Sequence, residues 1–357
     1  MGYRVAVVGA TGAVGGVILT LLAERGFPVA DVVPFASERS AGHVLDGPPD
    51  SPALTVRALS RDSVPGFDVA LFSAGSSVSR EWAPRFAAAG AVVIDNSSCW
   101  RMDPEVPLVV PEVNPADIAT HRGIVANPNC STMQMVLALK PLHDAAGLQR
   151  IVVSTYQSTS GTGVRAVEEL RTQAHAVLHE VQPPAAQIYP HPIAFNVLPQ
   201  VESFVDGDDY TTEERKMMAE TRKIMGLGEL RITATCARVP VVVGHSESVN
   251  VQTRDDLSPA RARGLLSAAP GVTVIDDPAA GLYPLALDVA GQDEVLVGRI
   301  RRDPSQERTL NMWVVGDNLR KGAALNAVQL AELLHERGLI GGSPRRDEDA
   351  GHTPSAV

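Results

Sequence analysis

An α/β architecture in two parts is the fold this sequence predicts, and three observations carry it. The chain opens with a buried-strand pattern, "YRVAVV" at residues 3–8, followed at once by a glycine-rich turn, "GATGAVGG", and a helical run, "VILTLLAERG". Strand-like and helical segments then keep alternating as far as "AVVIDNSS". After about residue 150 the texture changes to longer β-rich stretches between amphipathic helices. Alternation of this kind predicts a parallel, doubly wound sheet, and the later texture predicts an α+β unit with a mixed sheet. A length of 357 residues agrees with two domains at roughly 150 residues each.

In order, "VADVVPFAS", "DVALFSA" and "AVVIDNSS" follow as the second, third and fourth strands, and "REWAPRFAAAG" is a helix between the last two. A helix over 131–146 comes after "NPNC". In the second part, "RIVVSTYQSTSGTG" reads as a strand entering a Gly/Ser/Thr loop, and "VRAVEELRTQAHAVLHE" as an amphipathic helix. Residues 182–212 are Pro-rich and irregular, and "TEERKMMAETRKIMG" is a further helix. "RITATCARVPVVVGHSESVNVQT" is one long β-rich stretch, joined by "EVLVGRIRRD" and "LNMWVVGDN". "NLRKGAALNAVQLAELLHERG" closes the chain as a helix expected to return to the first domain. The expected division is therefore 1–130 for the first domain, completed by 319–338, and 131–318 for the second. The tail 341–357 lacks apolar residues and is expected to be disordered.

The 31 basic and 41 acidic residues leave a net charge of −10, which argues against nucleic acid or an anionic membrane as the main partner. No apolar run approaches the ~18–20 residues that span a bilayer, and the N-terminus does not read as a signal or transit peptide. Cys99, Cys130 and Cys236 are too few for a disulfide framework and fit a reducing cytosol, so a cytoplasmic protein is expected. There is no CxxC and no Cys/His cluster with metal-ligand spacing; His175 and His179 stand at i, i+4 without an evident third ligand. No metal is expected.

The glycine loop is G-x-x-G-x-x-G, with Gly9, Gly12 and Gly15, rather than the strict G-x-G-x-x-G. Its position between a first strand and a first helix is that of a dinucleotide-binding, Rossmann-like loop, where backbone N–H groups and the helix dipole hold a pyrophosphate. The bland alternative is a tight turn with no ligand. The second strand ends in "FASERSAG", which offers both the acid expected for NAD, Glu38, and the base expected for NADP, Arg39. Arg39 and Ser40 suit a 2′-phosphate, so NADP(H) is the expected cofactor.

"NPNCST" puts Cys130 where a helix begins. Unpaired N–H groups and the dipole there favour a thiolate, while Ser131 and Thr132 are capping residue types. A buried cysteine used for packing is the competing reading. A nucleophile needs a base, and His245, just after an apolar strand and a glycine, leads among the nine histidines. Arg238 lies seven residues before it; the two face the same way only if the strand is irregular between them.

"VAVVGATGAVG", "SERSAG", "RMDPEVPLVVPEVN", "NPNCST", "STYQSTSGTG", "IAFNVLP", "EERKMMAETRKI", "GHSESVN" and "DNLRKGAALNAVQL" occur in this order. Together they resemble the aspartate-β-semialdehyde dehydrogenase family from residue 3 to about 338. The resemblance implies a Cys130 nucleophile that forms a thioester, with His245 as acid/base and Gln157 orienting the substrate. Arg238 would hold the substrate carboxylate and Glu213 its ammonium. Arg101, Lys216 and Asn129 would bind phosphate. Gly9, Thr11, Gly12, Ala13, Val14, Ser73, Ser160, Gly161 and Asn318 would line the cofactor, with Arg39 and Ser40 on its 2′-phosphate. It also implies a homodimer or homotetramer and a place in lysine, threonine, methionine and isoleucine biosynthesis.

The reaction implied is NADPH-linked conversion of L-aspartyl-4-phosphate to L-aspartate 4-semialdehyde with release of phosphate. Two readings compete: a reductase of N-acetylglutamyl-phosphate type, and an NADP-binding protein without catalysis. The first has less use for Glu213, because its substrate lacks a free ammonium. The second needs none of Cys130, Gln157, Arg238 and His245.

Overall fold

The computed structural model describes residues 2–45, 47 and 53–341. The first part runs β1 (Tyr3–Val8), α1 (Ala13–Glu24), β2 (Val29–Ala36) and a short hairpin of β3 (Val44–Leu45) and β4 (Leu54–Thr55). It continues with β5 (Arg57–Ala58), β6 (Val69–Phe72), α2 (Ser76–Ala88), β7 (Val92–Asp95) and β8 (Ile124–Ala126). Among the described residues the sheet order is β5-β2-β1-β6-β7-β8, and every pairing is parallel. β5 and β8 are two strands more in this sheet than the four the sequence patterning suggests; two and three residues are too few for a period to show.

A parallel strand with helices on both sides must bury both faces. In β1, Val5 and Val7 pack with Ile18, Leu21 and Leu22 of α1, while Ala6 and Val8 pack with Phe35, Phe72 and Phe86. The strand consequently reads as a continuous apolar run. Gly9 ends it at φ 91°, and its N–H donates to Phe35 O at 2.8 Å, folding the turn over the end of β2.

The second part continues with α3 (Cys130–Ala146), β9 (Leu148–Gln157), α4 (Val164–Leu178), α5 (Thr212–Met225), β10 (Arg231–Arg238) and β11 (His245–Thr253). It ends with α6 (Pro259–Ser267), β12 (Val272–Val274), α7 (Ala286–Val289), β13 (Val295–Arg302), β14 (Thr309–Gly316) and α8 (Leu325–Glu336). Its sheet has the order β10-β9-β11-β14-β13-β12 and is mixed, with β9/β10 and β12/β13 parallel and the central pairs antiparallel. The long β-rich stretch predicted over 231–253 is thus two strands, broken at "VPVVVG". α3 is buried on nearly all sides and shares one core with both sheets. The closing helix does return to the first sheet: Val328, Leu330 and Leu334 of α8 join the α1 core. It is preceded by a π-helical turn, Arg320–Ala324, that patterning did not predict. The tail expectation for 341–357 falls, from residue 342 on, outside the described residues.

Candidate active site

Strand direction assembles the site. β9 and β10 run parallel, so their C-terminal ends meet, with Arg238 paired to Gln157. β11 is antiparallel to β9, so its N-terminal residue, His245, arrives at the same edge. β14 is antiparallel to β11, and His245 pairs with Gly316 there, two residues before Asn318. One sheet edge therefore collects Gln157, Arg238, His245 and Asn318. The separation of Arg238 and His245 is met by two strands rather than by one irregular strand.

Cys130 comes to that edge on α3. The helix begins at Cys130, one residue earlier than the sequence suggests, because Asn129 is the cap: its Oδ1 accepts the N–H groups of Ser131 and Thr132 at 3.0 and 3.2 Å. The hydroxyls of Ser131 and Thr132, read above as capping groups, are buried without hydrogen-bond partners among the described residues. One turn below Cys130, the Gln134 amide donates to the backbone O of His245 at 3.2 Å and ties α3 to β11. The π turn packs on the other side; a Cβ on Gly322 would lie 2.9 Å from that of Cys130, so only glycine leaves the cysteine this approach.

α5 supplies the third wall. Its capping box joins Thr211 and Glu214, and it ends in the left-handed Gly226. Glu213, Lys216 and Glu220 form a stripe at i, i+3 and i+7. Glu213 is saturated: it accepts from Asn129 Nδ2 at 2.9 and 3.1 Å, from Gln157 Nε2 at 3.0 Å, and pairs with Lys216 at 2.8 Å. Burial works against its charge, but Lys216 and these amides hold it at about 2. The side chain of Asn129, expected on phosphate, is thus spent on the cap and on Glu213. Glu220 accepts the Asn129 N–H at 2.7 Å and pairs with Arg101 at 3.1 Å. Arg101 also donates to Asn127 O and Asn96 O, which leaves two of its five N–H groups without a partner among the described residues.

A cavity of about 370 Å³ opens between these walls, lined by Val14, Arg101, Asn129, Cys130, Ser160, Gly161, Lys216 and Asn318. Gln157, Glu213, Arg238 and His245 lie behind that lining and are almost fully buried. Gly9, Thr11, Gly12, Ala13, Ser73, Arg39 and Ser40 lie on the neighbouring ends of β1, β6 and β2. Glu202 and Gly322, also on the lining, and Ser158 and Gln134 behind it, were missed. Only Ser158, inside "TYQSTSG", stands beside a residue singled out from sequence.

The electrostatics revise one expectation. Burial, and then Glu213, push the Cys130 thiol up to about 12, against the pull of Lys216, Arg238 and Arg101. The start of α3 alone therefore does not keep the sulfur ionised in the free site. Burial and then Arg238 push His245 down to about 3, with Glu213 opposing, so the ring is neutral at pH 7. Arg238 is 5% exposed, makes no ion pair among the described residues, and donates from Nη1 to Ser158 O at 2.6 Å, while its Nε has no partner. A buried guanidinium without a counter-ion is costly by several kcal/mol unless a ligand anion completes it. No three His, Cys, Asp or Glu side chains among the described residues are placed to hold a metal.

The glycine loop fits a dinucleotide. α1 has Gly12 at its N-cap and no side-chain cap, which leaves its first N–H groups to a ligand. Gly9 and Gly15 let the turn close; a Cβ on Gly15 would fall 2.2 Å from Gly9 O.

Two family models cover the chain: "Semialdehyde dehydrogenase, NAD binding domain" over residues 4–121 and "Semialdehyde dehydrogenase, dimerisation domain" over 139–321. The aspartate-semialdehyde dehydrogenase of Aquifex aeolicus is 57% identical over 95% of this chain and 100% of its own. The chain belongs to the aspartate-semialdehyde dehydrogenase family. Aspartate semialdehyde dehydrogenase II of Vibrio cholerae, also solved in complex with ASA, superposes with a TM-score of 0.89 at 44% identity, covering 94% of this chain and 99% of that one. The Candida albicans enzyme, solved with NADP, gives 0.74 at 25% identity over 95% of this chain and 100% of its own. Both domains lie within these matches, and no described helix is long and apolar enough to cross a membrane.

Proposed function

We propose that the chain is an aspartate-semialdehyde dehydrogenase, converting L-aspartyl-4-phosphate to L-aspartate 4-semialdehyde and phosphate in the route to lysine, threonine, methionine and isoleucine. The observation that carries the substrate is Arg238: a buried guanidinium in the cysteine's field, without a counter-ion among the described residues, suits a small substrate that brings its own carboxylate. Cys130 attacks the acyl carbon as its thiol proton passes to the neutral ring of His245, phosphate leaves toward Arg101 and Lys216, and a thioester remains on the sulfur. Covalent attachment divides one hard displacement into two easier ones. Glu213 holds the Gln157 amide and Lys216 in place; a substrate ammonium reaching Glu213 displaces one of these donors. His245, a neutral ring in the free site, serves as the acid/base of the reaction.

NADP(H), when bound, donates or accepts the hydride. Gly9, Thr11, Gly12, Ala13 and Val14 would hold its pyrophosphate at the start of α1, and Ser73, Ser160, Gly161 and Asn318 would lie along it. Arg39, which follows β2 and has no ion-pair partner among the described residues, would take a 2′-phosphate with Ser40. We also propose the division 1–130 and 319–338 against 131–318, a cytoplasmic location, and no nucleic-acid or membrane partner. The second sheet exposes Tyr156, tilted against Trp313 with ring centroids 5.4 Å apart, and the exposed Tyr283 and Leu285 line a pocket beside Trp313; we assign this face to a homodimer.

The test is NADP⁺ reduction with L-aspartate semialdehyde, with and without phosphate. Turnover should require phosphate, and Cys130→Ala should abolish it while NADPH binding persists. Phosphate-independent turnover would mean an ordinary aldehyde oxidation, and an active Cys130→Ala would remove the thioester.

A further inference from the structure

The cations at the phosphate end of the cavity already meet carboxylates. Arg101 pairs with Glu220, and Lys216 lies between Glu213 at 2.8 Å and Glu202 at 2.5 Å. A phosphate that is to reach Lys216 must displace one of its partners. The Glu220 and Glu213 side chains are only 1% and 3% exposed, so parting either from its cation would strand charge in the interior. Glu202 differs: its side chain is 44% exposed, lines the cavity together with Lys216 and Cys130, and has water to turn to. Among the described residues its carboxylate is held by α5 alone. Oε1 accepts from Lys216 Nζ, and Oε2 accepts at 2.6 Å from the hydroxyl of Thr212, one turn earlier on the same helix face. The backbone beneath it is left-handed, with Glu202 at φ 63°, a region that side chains other than glycine rarely adopt. Gln200 Nε2 donates to Glu202 O at 2.9 Å, and the Thr212 N–H donates to Ser203 O at 2.9 Å, which closes the 203–212 loop onto the start of α5. Strain of this kind persists where the surroundings impose it, and it clusters at ligand clamps.

We propose that Glu202 is a displaceable counter-ion that competes with phosphate for Lys216 and thereby sets the phosphate affinity of the site. This deepens the proposed reaction and rests on Lys216 as a partner of the phosphate. In the free site the Glu202 carboxylate occupies the outer side of the Lys216 ammonium. When phosphate arrives, its oxygens take that ammonium and the carboxylate turns out to water. Glu213 stays in place and keeps Lys216 aimed in both states. As phosphate departs after thioester formation, Glu202 returns to Lys216, so the pair works against retention of the product. An anion site built only to bind would keep its lysine free of such a rival. Glu202 is a positioning residue in this scheme: it acts through Lys216 and does not touch the reacting carbon.

Calorimetric titration of inorganic phosphate into the free protein reads the competition without turnover. Glu202→Gln keeps the side-chain length and an acceptor for Thr212 while removing the charge. It should bind phosphate at least about threefold more tightly than the wild type, the scale of a partly exposed ion pair. Unchanged or weaker binding overturns the proposal, and weaker binding would make Glu202 a support for Lys216 rather than its rival. Glu202→Asp separates competition from general charge repulsion. It keeps the charge but falls one methylene short of Lys216, so it too should bind phosphate more tightly than the wild type. A gain in Glu202→Gln with none in Glu202→Asp overturns the competition. Kinetics supply the second arm. In NADP⁺ reduction, Glu202→Gln should lower the KM for phosphate at least about threefold and leave the KM for the aldehyde unchanged, whereas a loosened site would raise both. Equal changes in the two KM values overturn the proposal. If the wild type turns over without phosphate, the proposed reaction falls, while the titration still decides whether Glu202 and phosphate compete.

Discussion

Two neighbouring glycines of α1 should respond oppositely to the same methyl group. A Cβ on Gly15 would lie 2.2 Å from Gly9 O, 2.7 Å from Ala10 Cα and 2.9 Å from Gly9 C, whereas one on Gly16 meets nothing within 4 Å. Comfortable contact needs ~3.5–4.0 Å, so Gly15→Ala must push the helix start from the end of β1 by more than about 1 Å. All three obstructing atoms are backbone, and no rotamer relieves the overlap. Gly9 O also accepts the Gly12 N–H at 3.0 Å, so the turn that would hold pyrophosphate moves with it. Overpacking of this kind costs about 1–3 kcal/mol. Misplacing one or two N–H donors to phosphate, at ~1.5–3 kcal/mol each, corresponds to ~10–100-fold or more in NADPH affinity. Gly16→Ala should leave binding unchanged and stabilise α1 by ~0.5–1 kcal/mol. NADPH titration by fluorescence and thermal denaturation of both variants read the two effects. A Gly15→Ala protein that binds NADPH like the wild type would refute the role given to this turn.

Alkylation of Cys130 in the free protein should accelerate about tenfold per pH unit between about pH 7 and 9, because only the thiolate reacts; a plateau near pH 7 would show a thiol well below about 12. His245, held down to about 3 in the fold, leaves the unfolded chain with more bound protons between that value and ~6.5. Its contribution to stability should be complete above ~6.5 and fall as pH drops, by at most ~1.4 kcal/mol per unit. His245→Gln should flatten that acid slope in denaturant titrations, and an unchanged slope would place the lost protons elsewhere. Glu220→Ala strands the Arg101 charge and the Asn129 N–H and should cost ~3–5 kcal/mol, with Glu220→Gln milder; equal stability of wild type and Glu220→Ala would disprove the pairing. Arg238→Lys should raise KM for the aldehyde, since an ammonium cannot replace a planar fork, and an unchanged KM would move the substrate carboxylate elsewhere.

What the linear order of residues determined was local. Apolar runs bounded by glycines specify β1, α1 and the turn between them, because burial of both faces of a parallel strand leaves no polar position to interrupt the pattern. "NPNCST" marks a helix start, although the cap is Asn129 rather than Ser131 or Thr132, because the side chain that reaches back to the first free N–H groups precedes the cysteine. β5, β8, β12 and the π turn left no trace, being too short for any periodicity. The pieces of the site were visible as residue types, and the family resemblance named them, but spacing could not bring them together.

That meeting was decided by strand direction. Parallel β9 and β10 with antiparallel β11 put the last residue of two strands and the first of a third at one edge, so Gln157, Arg238 and His245 converge across gaps of 81 and 7 positions. The ionisation of Cys130 was decided there too. From sequence, a helix N-terminus argues for a thiolate; in the fold, desolvation and Glu213 outweigh it, because charge stabilisation depends on everything around the sulfur and not only on the helix that carries it.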